Sequence, residues 1–447
     1  MSLQLDDGSR IGVVGGGPAG SLAAYFLLSF AGLMEMDIRV DVYEPRDFGA
    51  PGPAGCNMCG GIVSESLVQA LAIEGIDLPE TVVQRGIDSY VLHTDATDTR
   101  IDTPLREKRI AAIHRGGGPR DLTEVRWGGL DGHLLSLAEQ LGASVLRARV
   151  TDADWNERRP RVKTKQDGAQ TYDLLIGATG INSSAWDLYE KLGIDCKRPT
   201  AMKCYVTEVS LGYDAISRHF GSSMHIFLLD LPRLDCAAII PKGDFVTVCL
   251  LGQDIDRELV DSFFSAPAVR RCFPDDWTAG QGACHCQPRM NVKEAKKPYL
   301  DRLVLVGDAG ATRLNKDGIG GAYRTARAAA RTAVFSGVSA PDFEKSYLPT
   351  YRSIARDNRY GELMFHVIDL IKRFPPAMRG CVRMTAQEQR SEDSALRMSM
   401  TLWDMFTGSQ DYRTIFYRTL DPRFIGRFAL DSALSVSGSR SGDERTG

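Results

Sequence analysis

Short apolar runs, each ending in a small-residue turn, recur along the chain and set its expected architecture. Arg10-Ile-Gly-Val-Val14 reads as a buried strand running through a glycine-rich turn into an apolar helix from Ser21 to Leu33, with a second strand from Ile38 to Tyr43. Asp173-Leu-Leu-Ile-Gly-Ala-Thr-Gly-Ile-Asn-Ser183 repeats the strand-to-turn pattern. So does Leu303-Val-Leu-Val-Gly307-Asp308-Ala-Gly310, followed by Lys316-Asp-Gly-Ile-Gly-Gly-Ala322, which opens an alanine-rich helix. Leu67, Leu71 and Ile73 mark another amphipathic helix, and Val246 to Leu251 a strand. From Tyr360 the positions Tyr360, Leu363, Met364, Val367, Ile368, Ile371 and Phe374 recur at helical spacing until Pro375 and Pro376. Strands alternating with helices predict an α/β fold with a parallel sheet.

The first turn carries the strongest chemical signal. Gly15-Gly16-Gly17-Pro18-Ala19-Gly20 lies between strand and helix, the context a dinucleotide fingerprint requires. Gly15 permits the tight turn, Gly17 lets the backbone approach a pyrophosphate, and Gly20 lets helix and strand pack closely. A pyrophosphate there meets helix N–H groups that have no partner of their own. Glu44 follows the second strand, 24 residues after Gly20. A carboxylate at that position accepts ribose hydroxyls and disfavours a 2′-phosphate, so FAD or NAD is expected over NADP.

The three strand-turn elements together resemble the FAD-binding domain of the hydroxybenzoate-hydroxylase-like flavoproteins. That resemblance places Asp308 on the flavin-side ribose, and aims the N–H groups of Gly318, Ile319, Gly320 and Gly321 at the pyrimidine end of the flavin. A helix dipole stabilises the negative charge of reduced flavin. Arg115 matches the superfamily arginine that contacts the cofactor, and the loop Gly116-Gly117-Gly118 is expected near the adenine-ribose or flavin edge. Gly55-Cys56-Asn-Met-Cys59-Gly60-Gly61-Ile-Val-Ser64 looks like the geranylgeranyl reductase branch, in which a cysteine lies beside the flavin. Ile239-Ile-Pro241-Lys242-Gly243-Asp244 resembles that branch's turn facing the substrate cavity. No second Gly-x-Gly-x-x-Gly follows, so no separate NAD(P)H domain is visible. Ala178-Thr179-Gly180 replaces the Asp-Gly pair usual in hydroxylases. Cys236-Ala-Ala238-Ile-Ile240-Pro241 lacks both tryptophans of the flavin-halogenase motif, which disfavours halogenation.

Composition narrows the classes further. The chain has 447 residues, 54 Lys+Arg against 57 Asp+Glu, and a formal charge of -3, which excludes a generally basic nucleic-acid binder. Ten cysteines without a small-domain framework indicate a reducing, cytoplasmic setting. Met1 to Arg10 lacks the basic start and apolar core of a secretory signal. Cys56 and Cys59 have the spacing of half a zinc site, with Cys284-His285-Cys286 as a conceivable other half. An alternating pair on a strand is poor tetrahedral geometry, so no metal is expected. Arg126 and Trp127 are read as structural, and His225 and His366 as core or surface residues. Residues 345–430 contain 14 Lys+Arg and 9 Asp+Glu, a basic module on an acidic body. Its helices either cap the substrate domain with their apolar faces inward or lie on an anionic membrane.

The expected organisation is a discontinuous Rossmann-type FAD-binding domain (1–75, 105–182 and 295–345), with an interleaved, strand-rich substrate domain (76–104 and 183–294). A helical C-terminal region (346–430) and a disordered tail (431–447) follow. The resemblance implies an FAD-dependent oxidoreductase reducing C=C bonds of a geranylgeranyl-type chain, with Cys59 beside the flavin as proton donor or positioning group. The substrate is then a hydrophobic small molecule or lipid, and the electron donor NAD(P)H, ferredoxin or a reductase. The alternatives are a monooxygenase acting on a lipid or aromatic substrate and a non-enzymatic flavin and cysteine redox sensor.

Overall fold

The computed structural model describes residues 3–56, 59–95, 97–103, 110–120, 122–166, 168–181, 185–194, 201–278, 284–291, 294–311, 313–390, 395 and 397–440. The fold is α/β, and the chain divides into two compact units, each assembled from three separate stretches. The first takes Met1–Asn57, His114–Met202 and Arg289–Arg356, and the second Met58–Ile113, Lys203–Pro288 and Asp357–Gly447. The segment 58–75, placed with the nucleotide domain on sequence grounds, therefore clusters with the second unit. The C-terminal helices form no unit of their own.

The first unit is built on a six-stranded sheet. Its core is four parallel strands in the order Leu303–Leu305, Leu174–Gly177, Arg10–Val14 and Arg39–Tyr43, flanked by Ser144–Leu146 and by the antiparallel Tyr299–Leu300. Ile11, Val13, Ile176 and the whole of Leu303–Leu305 are buried, which is why these runs read as continuous rather than alternating apolar strands. The fingerprint helix, Pro18–Leu33, packs against the glycine helix, Gly318–Phe335, with Phe26 edge-on to Tyr323 at 5.7 Å. A small antiparallel sheet of Val150–Asn156, Arg159–Thr164 and Gly168–Thr171 completes the unit.

The second unit is a seven-stranded sheet, antiparallel except where Ser223–Leu228 pairs with Ser89–Thr94. Strand alternation gives it two apolar faces. Phe227, Ile239 and Val248 pack against the helix Arg257–Ser265 on one side. Tyr90, Leu92 and Ile226 pack on the other against helices Pro375–Arg390, Arg397–Thr407 and Pro422–Arg440. Trp403 stacks on Tyr90 at 4.4 Å. The apolar sides of these C-terminal helices thus face the sheet.

Pro375 and Pro376 end the long helix Leu348–Arg373, as their lack of N–H groups dictates, and then open the next one. In the long helix the apolar stripe divides. Met364, Ile368 and Ile371 belong to the core, while Leu363, Val367, Leu370 and Phe374 are exposed. The expected disordered tail is ordered in part, because the last helix continues to Arg440; residues 441–447 lie outside the described residues. Among the described residues no helix is long and apolar enough to cross a membrane.

Candidate functional site

Strand register brings the expected nucleotide-binding residues to one edge of the first unit. Val14 pairs with both Tyr43 and Gly177, and Gly177 pairs with Leu305, so four parallel strands end flush. The residues that follow those ends are Gly15, Glu44, Ala178 and the Val306-Gly307-Asp308 turn. Ligands of open α/β sheets bind outside the carboxyl ends of the strands, so one edge collects most of the predicted set.

Close contacts explain the small residues there. Gly15 has φ +107°, and a Cβ on it would lie 2.5 Å from the Ala178 carbonyl oxygen. A Cβ on Gly20 would lie 1.7 Å from the Gly15 oxygen, so turn and helix touch backbone to backbone. A Cβ on Gly307 (φ +59°) would lie 2.6 Å from Ala19 Cβ. This contact sets the Gly307-Asp308 turn against the first turn of the fingerprint helix. Gly17 differs: the nearest atom to an added Cβ is Arg115 Nη2, at 3.8 Å. The turn therefore has an open cradle over it at the helix N-terminus. The first helical bond runs from Ser21 N–H to Gly17 O, and Pro18 brings no N–H, so Ala19 and Gly20 point theirs ahead of the helix.

Charged groups frame this cradle. Glu44, 3% exposed, accepts from Gly16 N–H at 3.0 Å through Oε2, and from the Arg46 backbone and Nε through Oε1. A carboxylate has about four acceptor positions, so capacity for a ribose hydroxyl remains. Arg115 makes a two-pronged pair with the fully buried Asp131, at 2.9 and 2.7 Å, which holds its guanidinium beside Gly17. Asp131 escaped the sequence reading. The Gly116–Gly118 loop wraps Trp127, whose Nε1 donates to Gly116 O and whose ring leaves no space for a side chain at Gly118. These residues fit a dinucleotide: a carboxylate, an anchored cation and a helix N-terminus surround a space a Cβ would fill.

The glycine helix carries a cap that sequence reasoning overlooked. Asp317, in the left-handed conformation at φ 52°, accepts from Gly320 N–H at 3.1 Å. Its other oxygen receives Arg313 Nη1 at 2.8 Å, and both side chains are buried. Gly321 N–H bonds to Asp317 O. Two of the four N–H groups expected to face a flavin are thus used within the cap, and Gly318 and Ile319 keep theirs ahead of it. Aspartate before a helix is a strong N-cap signal, and that preference would have found it.

In the second unit two motifs far apart in sequence meet. Pro241 and Lys242 end the strand Leu234–Lys242, and Lys242 Nζ donates to Cys59 O at 3.4 Å. A Cβ on Gly61 would lie 2.8 Å from the same nitrogen and 2.0 Å from Ile113 O, so the Cys-Gly-Gly segment is pressed onto the sheet. Below it Glu208 lies 3.7 Å from Lys242 Nζ and accepts from Thr247 Oγ1 at 2.9 Å. Burial raises the Glu208 carboxyl above its ordinary pKa, with the nearby ammonium pulling the other way. Burial likewise raises the Cys249 thiol, against the pull of the Lys242 ammonium, and raises Cys286 to about 12. The described cysteines include no disulfide, and the Cys56, Cys59 and Cys284–Cys286 groups form no metal cluster among the described residues.

No family profile matches the chain, and no curated protein matches its sequence. Solved structures do share its fold. A flavoprotein/dehydrogenase from Cytophaga hutchinsonii superposes with a TM-score of 0.60 at 13% identity, covering 96% of this chain and 100% of the other. A flavin-dependent brominase gives 0.58 at 13% identity, over 97% and 99% of the two chains. The p-nitrophenol 4-monooxygenase from Pseudomonas putida gives 0.57 at 16% identity, over 90% and 99%. What the chain has in common with these flavin-dependent proteins is its architecture along nearly the whole length.

Proposed function

We propose that this chain is an FAD-dependent oxidoreductase that reduces C=C bonds in a polyprenyl lipid chain. The observation that carries the cofactor assignment is the flush edge of four parallel strands, where Gly15–Gly20, Glu44, Arg115 and Asp308 converge. Their roles follow from chemistry. Glu44 and Asp308 take ribose hydroxyls, Arg115 and the Ala19 and Gly20 N–H groups take the pyrophosphate, and Gly318 and Ile319 face the isoalloxazine. Bound FAD would supply two electrons, as hydride to one alkene carbon in a reductase or to dioxygen in a monooxygenase.

Support for the reductase reading comes from the Cys59 segment. Lys242 Nζ donates to the main chain at Cys59, and in this reading the Cys59 thiol would hold a proton for the second alkene carbon or position the chain. The electron donor is NAD(P)H, ferredoxin or a partner reductase. The second reading, a monooxygenase, is favoured by the likeness in fold to the p-nitrophenol enzyme.

The deciding experiment is anaerobic. Chemically reduced flavoprotein is mixed with a panel of prenyl lipids while oxidised-flavin absorbance is followed. Recovery of absorbance with a product two mass units heavier supports the reductase. A flavin that stays reduced until air and an organic substrate are added, with a product sixteen mass units heavier, replaces that reading by the monooxygenase. Purified protein that retains no flavin overturns both.

A further inference from the structure

Away from the Cys59 segment, the second unit buries a cluster that the proposed chemistry does not use. His93 lies on the strand Ser89–Thr94 and His225 on its parallel neighbour Ser223–Leu228. His93 pairs with Phe227, two residues beyond His225, so strand alternation places both imidazoles on one face of the sheet. Cys272, just after the short helix Pro267–Arg270, meets them there. His93 Nε2 and His225 Nδ1 are 2.9 Å apart, and Cys272 Sγ is 3.7 and 3.5 Å from them. All three residues are buried, at 4%, 6% and 5% exposure.

These separations are close to those of a tetrahedral metal centre. Bond lengths of about 2.0–2.1 Å to nitrogen and about 2.3 Å to sulfur put two nitrogens about 3.3 Å apart and nitrogen and sulfur about 3.6 Å apart. Both nitrogen–sulfur distances already agree, and the two rings need to part by only a few tenths of an ångström. The surroundings supply the outer support that metal-bound histidines use. His93 Nδ1 lies 2.9 Å from Asp98 Oδ1, and Arg271 holds the other Asp98 oxygen at 3.3 Å. His93 also stacks on Phe227 at 4.5 Å, while Phe220 stands edge-on to His225. Burial lowers the pKa of both histidines, His225 to about 3, which keeps their rings in the neutral form that ligates. The same burial pushes the Cys272 thiol up to about 12, with Arg271 pulling the other way. Two imidazoles and a thiol within an otherwise apolar core cost desolvation that valine or phenylalanine would avoid.

We propose that His93, His225 and Cys272 bind a divalent transition-metal ion of the zinc class, with Asp98 orienting His93. On binding, the Cys272 thiol loses its proton to solvent as the metal–sulfur bond forms. The His225 proton moves from Nδ1 to Nε2, freeing Nδ1 to ligate, while His93 keeps its proton on Nδ1 toward Asp98. No electron is transferred. Three protein ligands leave one position of the tetrahedron for water.

The test uses the full-length protein, dialysed against chelator and titrated anaerobically with cobalt(II) chloride. A one-to-one sulfur-to-cobalt charge-transfer band, with the visible bands of four-coordinate cobalt, is expected, and zinc chloride should displace it. Cys272→Ser should abolish the charge-transfer band, and Asp98→Asn should weaken cobalt binding about 10–100-fold. X-ray absorption of zinc-loaded wild type needs no variant and should show two nitrogen neighbours and one sulfur neighbour. Folded wild-type protein that gives no band overturns the proposal. So does an equal band in Cys272→Ser, which would assign the metal to other thiols, or a zinc spectrum without sulfur.

Discussion

Replacing Lys242 by methionine isolates the energetics of the buried pair under the Cys59 segment. The Lys242 and Glu208 side chains are 1% and 3% exposed and 3.7 Å apart, with Thr247 as a further partner of the carboxylate. Removing one partner of such a pair costs about 3–5 kcal/mol, because the other charge stays buried alone. For a unit of this size each kcal/mol moves Tm by about 2–4 °C, so Lys242→Met should lower the melting temperature by roughly 6–20 °C at pH 7.5. The loss must depend on pH in one direction. Burial raises the folded-state pKa of Glu208 above the unfolded value, so its protonated form favours the fold. That contribution is fully present below the unfolded pKa and is lost as pH rises through the folded one. Without the ammonium the folded pKa climbs further, which makes the variant's stability fall more steeply above pH 5 than the wild type's. The assay is calorimetric melting between pH 5 and 8, with Glu208→Gln/Lys242→Met recovering much of the lost stability. A single variant within about 1 °C of wild type at pH 7.5, with an unchanged pH profile, would refute the assignment of Lys242 and Glu208 as a coupled buried pair.

Other expectations follow from particular contacts. Gly20→Ala forces a Cβ to within 1.7 Å of a carbonyl oxygen, so the purified variant should lose its flavin absorbance, whereas Gly32→Ala, in open space, should keep it and gain roughly 0.5–1 kcal/mol. Gly320→Ala puts a Cβ 2.2 Å from Asp317 Oδ1 and should lower Tm; adding Asp317→Gly should relieve the clash, so the two changes should deviate from additivity by at least about 1 kcal/mol. Cys59→Ser should keep bound flavin and lose about 10²–10⁴-fold in anaerobic reoxidation by a prenyl lipid, and unchanged turnover would remove the thiol from the chemistry.

Where one local stretch determines the structure, the sequence is legible. The turn after Arg10–Val14 needs Gly15 and Gly20 because they touch each other, and the strand before it is apolar because both its faces are covered. The prolines at 375 and 376 end a helix for reasons carried by their own rings. Groups assembled by register are another matter. Nothing near Lys242 announces Glu208, two strands earlier in the chain, since the pair depends on Tyr205–Ser210 and Leu234–Lys242 both lying beside Phe245–Gly252. The meeting of His93 with His225 likewise depends on a parallel pairing of strands separated by more than a hundred residues. The split stripe on Leu348–Arg373 shows the opposite limit: periodicity marks an apolar face but says nothing about which half a sheet will cover.

The interleaving of the two units also shapes how the chain is made. Strand Arg10–Val14 leaves the ribosome some three hundred residues before Leu303–Leu305, a parallel strand of the same sheet. The glycine helix that covers Pro18–Leu33 emerges as late. At about 5–20 residues per second, the helix Pro18–Leu33 waits roughly 15–60 seconds for the glycine helix that packs against it. Apolar surface left uncovered for that long is prone to aggregation unless a holding chaperone covers it. Moving the termini, so that residues 289–356 are synthesised just before Arg10–Val14, should shorten the wait and raise the yield of folded protein when such chaperones are depleted.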